Sequence, residues 1–138
     1  MQKLDDKRIY RIFDANLNRA KEGLRVCEDI CRFYFNDKSA TRKFKVIRHE
    51  ITGVVEKFKI KNLVGSRNIM GDVSKQTTDS ELKRKEIKDV FFANVQRCKE
   101  SIRVLEELAK LLHKPSALCL KKCRYSIYGL EKKIITKF

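Results

Sequence analysis

The sequence predicts an all-α domain, a four-helix packing built from two diverged copies of one helix hairpin. Three observations carry this. Breakers are scarce, with five Gly and one Pro in 138 residues, which leaves long stretches free to be helical. Apolar residues recur at three- and four-residue spacing over most of the chain, the period of one helix face. The chain also repeats itself: residues 13–33, FDANLNRAKEGLRVCEDICRF, and residues 91–111, FFANVQRCKESIRVLEELAKL, are identical at nine of 21 positions at a constant offset of 78. The shared residues are Phe13/Phe91, Ala15/Ala93, Asn16/Asn94, Arg19/Arg97, Lys21/Lys99, Glu22/Glu100, Arg25/Arg103, Val26/Val104 and Glu28/Glu106. After a two-residue slip Arg48/Arg124, Ile51/Ile127 and Gly53/Gly129 also match. Self-similarity over such a length points to a duplication, with the two hairpins related by a pseudo-two-fold axis.

The first helix runs from about Asp5 to Phe35, with Ile9, Phe13, Ala20, Leu24, Cys27 and Cys31 on one face. Asn36-Asp37 ends it, because these side chains favour turns. A second helix from about Ser39 to Ile60 turns Phe44, Ile47, Ile51, Val55 and Phe58 inward. Residues from about 61 to 80 lose the periodicity and gather Gly65, Asn68, Gly71, Asp72 and Asp79, so they read as a loop. Unstructured loops beyond about 12–15 residues are uncommon and are often functional. Thr78 and Glu81 form a capping box that starts a third helix, which runs to about Leu112. His113 and Lys114 suit its negative end, and Pro115 suits the first turn of a fourth helix, which reaches about Thr136. The chain therefore reads as one domain, residues 1–138, with repeat 1 over about 5–60, the loop over about 61–80, and repeat 2 over about 81–136.

No window holds the run of apolar residues that a membrane span needs, and the start of the chain lacks the apolar stretch of a signal peptide. Five cysteines without a CxxC pair make no disulfide framework. The expectation is a cytoplasmic protein without membrane contact. Cys27/Cys31 and Cys119/Cys123 are four apart but lie on apolar faces, which reads as packing and not as metal binding. Lys and Arg total 33 against 18 acids, a net charge of +15. Such a field attracts polyanions, whether nucleic acid, anionic lipid or phosphorylated small molecules. A solvated Lys-rich surface needs no ligand at all.

Apolar core positions drift freely between copies, as Cys27 against Leu105 and Ile30 against Leu108 show. The polar positions have not drifted. Asn16 and Asn94 fall within apolar stripes, where an amide must have its hydrogen bonds met. They could pair with each other or with backbone, or contact a ligand in a cleft between the repeats. Arg19 and Arg97 sit one turn on, as phosphate-gripping forks or as ion-pair partners of Glu22/Glu100 or Glu28/Glu106. Glu22, Arg25, Asp29 and Arg32 fit a surface ladder of pairs three and four apart. In the loop, Arg67 offers a phosphate clamp, Gly71 a close approach, and Asp72 a Mg²⁺ ligand; an ordinary polar loop would look the same. No Walker A, GxGxxG or GxSxG motif is present.

The run Arg11-Ile-Phe-Asp-Ala-Asn-Leu-Asn-Arg-Ala-Lys-Glu-Gly-Leu-Arg-Val-Cys-Glu-Asp, followed by Arg32-Phe33, resembles a small domain of thiamine biosynthesis. That family is a monofunctional hydroxymethylpyrimidine-phosphate kinase, often fused in front of thiamine-phosphate synthase. The likeness continues through Arg48-His49-Glu50, Arg67-Asn68, Gly71-Asp72-Val73, Ala93-Asn94 with Arg97, Arg103-Val-Leu-Glu-Glu, and Arg124-Tyr125 with Tyr128. Two positions depart from the family loop: Asn68 stands for an Asp and Ser74 for a Gly. The resemblance implies a stand-alone kinase that uses ATP and Mg²⁺ to turn a phosphorylated pyrimidine into its diphosphate. It implies Arg19, Arg67 and Arg97 as phosphate clamps and, with Asp72, as catalytic residues. Mg²⁺ falls to Asp72, Glu22 or Glu100. Asn16, Asn94, Glu22, Glu100, Arg25, Arg103, Arg48 and Arg124 become the substrate- and nucleotide-binding set. A homodimer is expected, because Val26, Ile30 and Phe33 widen the first helix's apolar arc, and thiamine-phosphate synthase is a further partner. The rival readings are a basic helical nucleic-acid-binding module and a non-catalytic partner of that synthase. The identical Asn and Glu of the two copies argue against nucleic acid, since phosphate binding alone does not need them.

Overall fold

The computed structural model describes residues 7–138, and they are all-α, with no strand among them. The six helices are α1 (Lys7–Asp29), α2 (Lys38–Val55), α3 (Ile60–Gly65), α4 (Asp79–Leu82), α5 (Ile87–Leu112) and α6 (Lys114–Ile134). The four long ones close a ring, α1 on α5, α5 on α6, α6 on α2 and α2 on α1. Phe13, Leu24, Phe44, Phe91, Leu105 and Ile127 are among the side chains sealed inside it. No helix among the described residues is long and apolar enough to cross a membrane.

Several boundaries differ from the sequence reading, each for a local reason. The expected start of the first helix at Asp5 lies outside the described residues. Its last turn widens into a π-turn over Ile30–Tyr34, with Phe35 N–H reaching back to the Ile30 carbonyl at 3.1 Å. Asn36 then takes φ 53°, a left-handed conformation that Asn tolerates better than most residues. Asp37 caps α2 by accepting from Ala40 N–H at 2.9 Å. The second helix stops at Val55 and not at Ile60. Phe58 packs on Phe13 at 4.9 Å between ring centres, and buried Leu63 anchors the short helix α3 in what reads as loop.

The expected third helix is split. Thr78 and Glu81 do form a capping box, but α4 ends after one turn at Leu82. Lys83-Arg84-Lys85 concentrates like charge, and a second box, Glu86 with Asp89, starts α5 afresh. There the Asp89 carboxylate accepts from the Lys85 and Glu86 N–H groups, both at 3.0 Å. His113, read as a helix end, also serves as the N-cap of α6, accepting from Ser116 N–H, with Pro115 in the first turn.

α1 and α5 cross antiparallel. At the crossing the Cys98 thiol points at the Ala20 carbonyl, 3.7 Å away, and these two residues are aligned in the internal repeat. Two turns off, Cys27 Sγ meets the Phe91 carbonyl at 4.0 Å. Gly23 sits flush against α5 on one side of this crossing. A Cβ there would lie 2.8 Å from Cys98 Sγ and 3.1 Å from the Asn94 carbonyl oxygen. The position aligned with Gly23 is Ser101, which is buried on the other side of the crossing.

Candidate functional site

The repeated polar residues separate into two groups. Glu28 and Arg48 pair at 3.0 Å between α1 and α2, and Glu106 and Arg124 pair at 3.1 Å between α5 and α6. All four are largely buried, so each hairpin is tied by a matched internal ion pair. Burial of such charges is tolerable only when each finds its counterpart. Among the described residues every buried side-chain nitrogen and oxygen has a partner.

The second group faces outward around the crossing. Arg19 and Arg97 share one cleft of about 280 Å³ with Asn16, Glu100, Ser101 and Val104. Ser101 lines the cleft, whereas its aligned residue Gly23 lies in close contact with α5 and does not. Asn16 is buried; its amide donates to the Ile12 carbonyl at 2.9 Å and its oxygen accepts from Arg19 Nη1 at 3.4 Å. Asn94 makes the corresponding bond to the Val90 carbonyl at 2.8 Å. Each amide thus bonds back to its own helix and not to the other. Asn94 is only half-buried and does not line the cleft.

Flanking the cleft are two pockets made of aligned residues. Lys21, Glu22, Arg25 and Arg48 line one of about 410 Å³. Lys99, Glu100, Arg103 and Arg124 line the other, of about 360 Å³, joined by Gln96 and Tyr128. Glu100 belongs to both this pocket and the central cleft. The expected surface ladder does not form: no ion pair joins Glu22, Arg25, Asp29 and Arg32 among the described residues. Exposed pairs three and four apart contribute only about 0.2–0.5 kcal/mol, too little to hold them together. Arg32 instead lies over the Phe33 ring at 4.7 Å.

Arg67 and Asp72 stand apart from these linings. Arg67 grips buried Asp14 through two bonds, 2.6 and 3.0 Å long. That hydrogen bond to the Asp14 carboxylate, opposed in part by desolvation, raises the guanidinium's pKa. Asp14 was not singled out in the sequence; its aligned residue is Phe92, so the repeat carried no signal for it. Asp72 is exposed and accepts from Ser74 N–H at 3.0 Å. Asn68 accepts from Gly71 N–H at 2.8 Å and receives Arg11 on its carbonyl at 3.0 Å.

A Mg²⁺ ion is commonly held by one or two carboxylates together with substrate phosphates. Glu100, accepting from Gln96 Nε2 at 2.9 Å at the cleft's edge, fits that role, and Glu22 is its counterpart in the other pocket. A different set, Glu50, Cys119 and Cys123, brings its ligand atoms within 4.8 Å of one another. Its two sulfurs do not suit Mg²⁺. The Cys123 thiol donates to Glu50 at 3.1 Å and is pushed up by burial and by that carboxylate. Burial likewise pushes the Cys31 thiol up to about 12. A groove of about 710 Å³ runs between α2 and α6 past Val46, Leu130, Lys43 and Lys133. Of the residues identical in the two copies it contains Gly129 and Lys133, aligned with Gly53 and Lys57, and none of the repeated Asn, Arg or Glu side chains.

The profile of the ThiD2 family matches residues 11–133. The chain is 39% identical over 128 residues to the thiamine-phosphate synthase of Nostoc punctiforme, covering 92% of this chain and 35% of that protein. With the thiamine-phosphate synthase of Rhodopirellula baltica it is 35% identical over 138 residues, 99% of this chain and 37% of the other. With that of a further Nostoc strain it is 36% identical over 135 residues, 97% and 37%. The chain thus spans little more than a third of the length of these relatives. No solved structure matches it.

Proposed function

From the premise that the chain belongs to the ThiD2 family, we propose that it is an ATP-dependent kinase of thiamine biosynthesis, converting hydroxymethylpyrimidine phosphate to its diphosphate. The observation that supports this most is the meeting of Arg19 and Arg97, from aligned turns of α1 and α5, in one cleft with Asn16 and Glu100. Two phosphorylated reactants must come together despite their mutual repulsion. Phosphoryl transfer is catalysed chiefly by positioning and by neutralising charge. The two guanidinium groups draw the acceptor phosphate and the γ-phosphate together. An acceptor phosphate oxygen, already anionic, attacks the γ-phosphorus; the bond to the β–γ bridging oxygen breaks, and ADP leaves with that electron pair. No catalytic histidine is called for. Held by Glu100 and phosphate oxygens, Mg²⁺ would neutralise further charge on the triphosphate. Asn16, fixed by its bond to Ile12, keeps Arg19 aimed into the cleft.

The test is incubation with ATP, Mg²⁺ and hydroxymethylpyrimidine phosphate, reading ADP and the diphosphate, with the unphosphorylated pyrimidine as control. Arg19→Ala and Arg97→Ala should each lower turnover at least about tenfold, the scale of losing one charge-stabilising contact, with the helical circular dichroism unchanged. Full activity in both variants removes the clamp. A second reading, a non-catalytic partner of thiamine-phosphate synthase, draws on the exposed apolar side chains Ile69, Met70, Val73 and Leu82. It predicts no ADP above background together with co-elution with the synthase.

A further inference from the structure

The two pockets share four aligned residues and differ in Gln96 and Tyr128, which line only the one between α5 and α6. Lys21/Lys99, Glu22/Glu100, Arg25/Arg103 and Arg48/Arg124 are repeated, but Lys99 and Arg103 have carboxylate partners, Glu131 and Glu107, where Lys21 and Arg25 have no ion pair among the described residues. In the α5/α6 pocket an aromatic wall is added. Tyr128 lines it, and Tyr125 stands edge-on to Tyr128 with ring centres 5.8 Å apart. The aligned positions in the first hairpin are His49 and Thr52, and neither lines the α1/α2 pocket. Both tyrosines are exposed, at 59% and 44%, so packing does not account for them.

The wall is braced. Arg124, held by Glu106 on one side, lies 5.3 Å from the Tyr125 ring centre and 5.9 Å from that of Tyr128, and its Nη1 donates to Tyr128 Oη at 3.4 Å. Lys99 hovers 5.3 Å from the Tyr128 ring and is tethered to Glu131 at 2.8 Å. At the rim, Gln96 spends one amide hydrogen on Glu100 at 2.9 Å. The Gln96 carbonyl and the Glu100 carboxylate are acceptors facing the same space. An aromatic face beside two acceptors suits a flat ring that carries an amino group. The α1/α2 pocket, lined by charged side chains alone, suits phosphate.

We propose that the α5/α6 pocket is the subsite for the amino-bearing heteroaromatic ring of a phosphorylated ligand, with Tyr128 as its stacking face and Gln96 and Glu100 as its amine acceptors. The inference rests on the kinase reading, which supplies two ligands of this chemistry: the aminopyrimidine phosphate and the nucleotide. The two hairpins then divide the work, ring on the second and phosphates towards the crossing and the first.

The experiment is calorimetric titration of the full chain with hydroxymethylpyrimidine phosphate, and separately with a non-hydrolysable ATP analogue plus Mg²⁺. Tyr128→Ala should raise Kd about tenfold for one of the two ligands, the size of one lost base–aromatic stack, and Tyr128→Phe should restore it. Which ligand responds identifies the ring. Binding of inorganic phosphate should be unchanged in Tyr128→Ala, and Thr52→Ala, at the aligned position, should change neither ligand. A wild-type chain that binds both ligands, with Tyr128→Ala binding both equally well, overturns the ring subsite and leaves the kinase reading in place. A wild-type chain that binds neither overturns both.

Discussion

Replacing Gly23 by alanine tests the close approach of α1 to α5. In a helix interior the change should be favourable, since alanine is preferred to glycine by about 1 kcal/mol. Here the new methyl would come within 2.8 Å of Cys98 Sγ and 3.1 Å of the Asn94 carbonyl oxygen. The sulfur is fully buried and directed at the Ala20 carbonyl, and a helical carbonyl cannot rotate away. Overpacking of this kind costs about 1–3 kcal/mol, so the net effect is a loss of about 1 kcal/mol. That corresponds to a Tm lowered by about 3–5 °C in a domain of this size. Urea unfolding followed by circular dichroism measures it. Adding Cys98→Ala removes the closer contact, so the double variant should be less destabilised than the two single losses added together, by about 0.5–3 kcal/mol of coupling. If Gly23→Ala raises the urea midpoint, helix propensity alone governs the site. The close approach of α1 to α5 at Gly23 would then be refuted.

Two further outcomes follow from the caps and ion pairs. Glu106→Gln leaves Arg124 largely buried without its carboxylate and should cost about 3 kcal/mol in urea unfolding. Glu28→Gln should cost less, because Arg48 is 14% exposed against 9% for Arg124. Equal stability of both variants and the wild type would show that the pairs do not tie the hairpins. Asp37 caps α2, and the Ala40 N–H, ahead of Lys137, holds its carboxyl below the ordinary 3.8 in the folded chain. A depressed folded pKa contributes stability above pH 3.8 that is lost as the pH falls through the folded value. Asp37→Asn, which keeps a cap acceptor, should therefore melt below the wild type at pH 7, with the gap closing below pH 3.8. A gap that persists at low pH would mean the carboxylate's charge contributes nothing.

The helices were legible because their cause is local. Apolar period, capping chemistry and scarcity of breakers are properties of neighbouring residues, and α1, α2, α5 and α6 follow them closely. The failures are where local signals compete. Thr78/Glu81 and Glu86/Asp89 are both valid starts, and the tertiary contacts of α5 favour the second, leaving α4 as a single turn. Leu63 gave no sign in its own neighbourhood that it would be buried, because its partner surface is α1. Arg67 was legible as a cation but not as a spoken-for one, since Asp14 lies 53 residues away in sequence.

The repeat sharpened the site and also limited how far it could be read. Identity between two copies marks a residue as constrained without saying by what. Glu28 and Glu22 are equally repeated, and so are Arg48 and Arg25. Burial and partners separate them: Glu28 is 3% exposed and pairs across to α2, whereas Glu22 and Arg25 line an open pocket. The first pair is satisfied within the fold and has no capacity left over for a ligand's phosphate except at the solvent edge of Arg48. Arg19, Arg97 and Arg25 have no ion pair among the described residues, and Arg103 has only the exposed Glu107 at 3.7 Å. In a chain carrying a net charge of +15, that surplus is the physical reason to expect phosphate at the α1/α5 crossing. Against that background of repeated charge, Tyr128 and Gln96 break the match between the copies, and the proposed ring subsite rests on them.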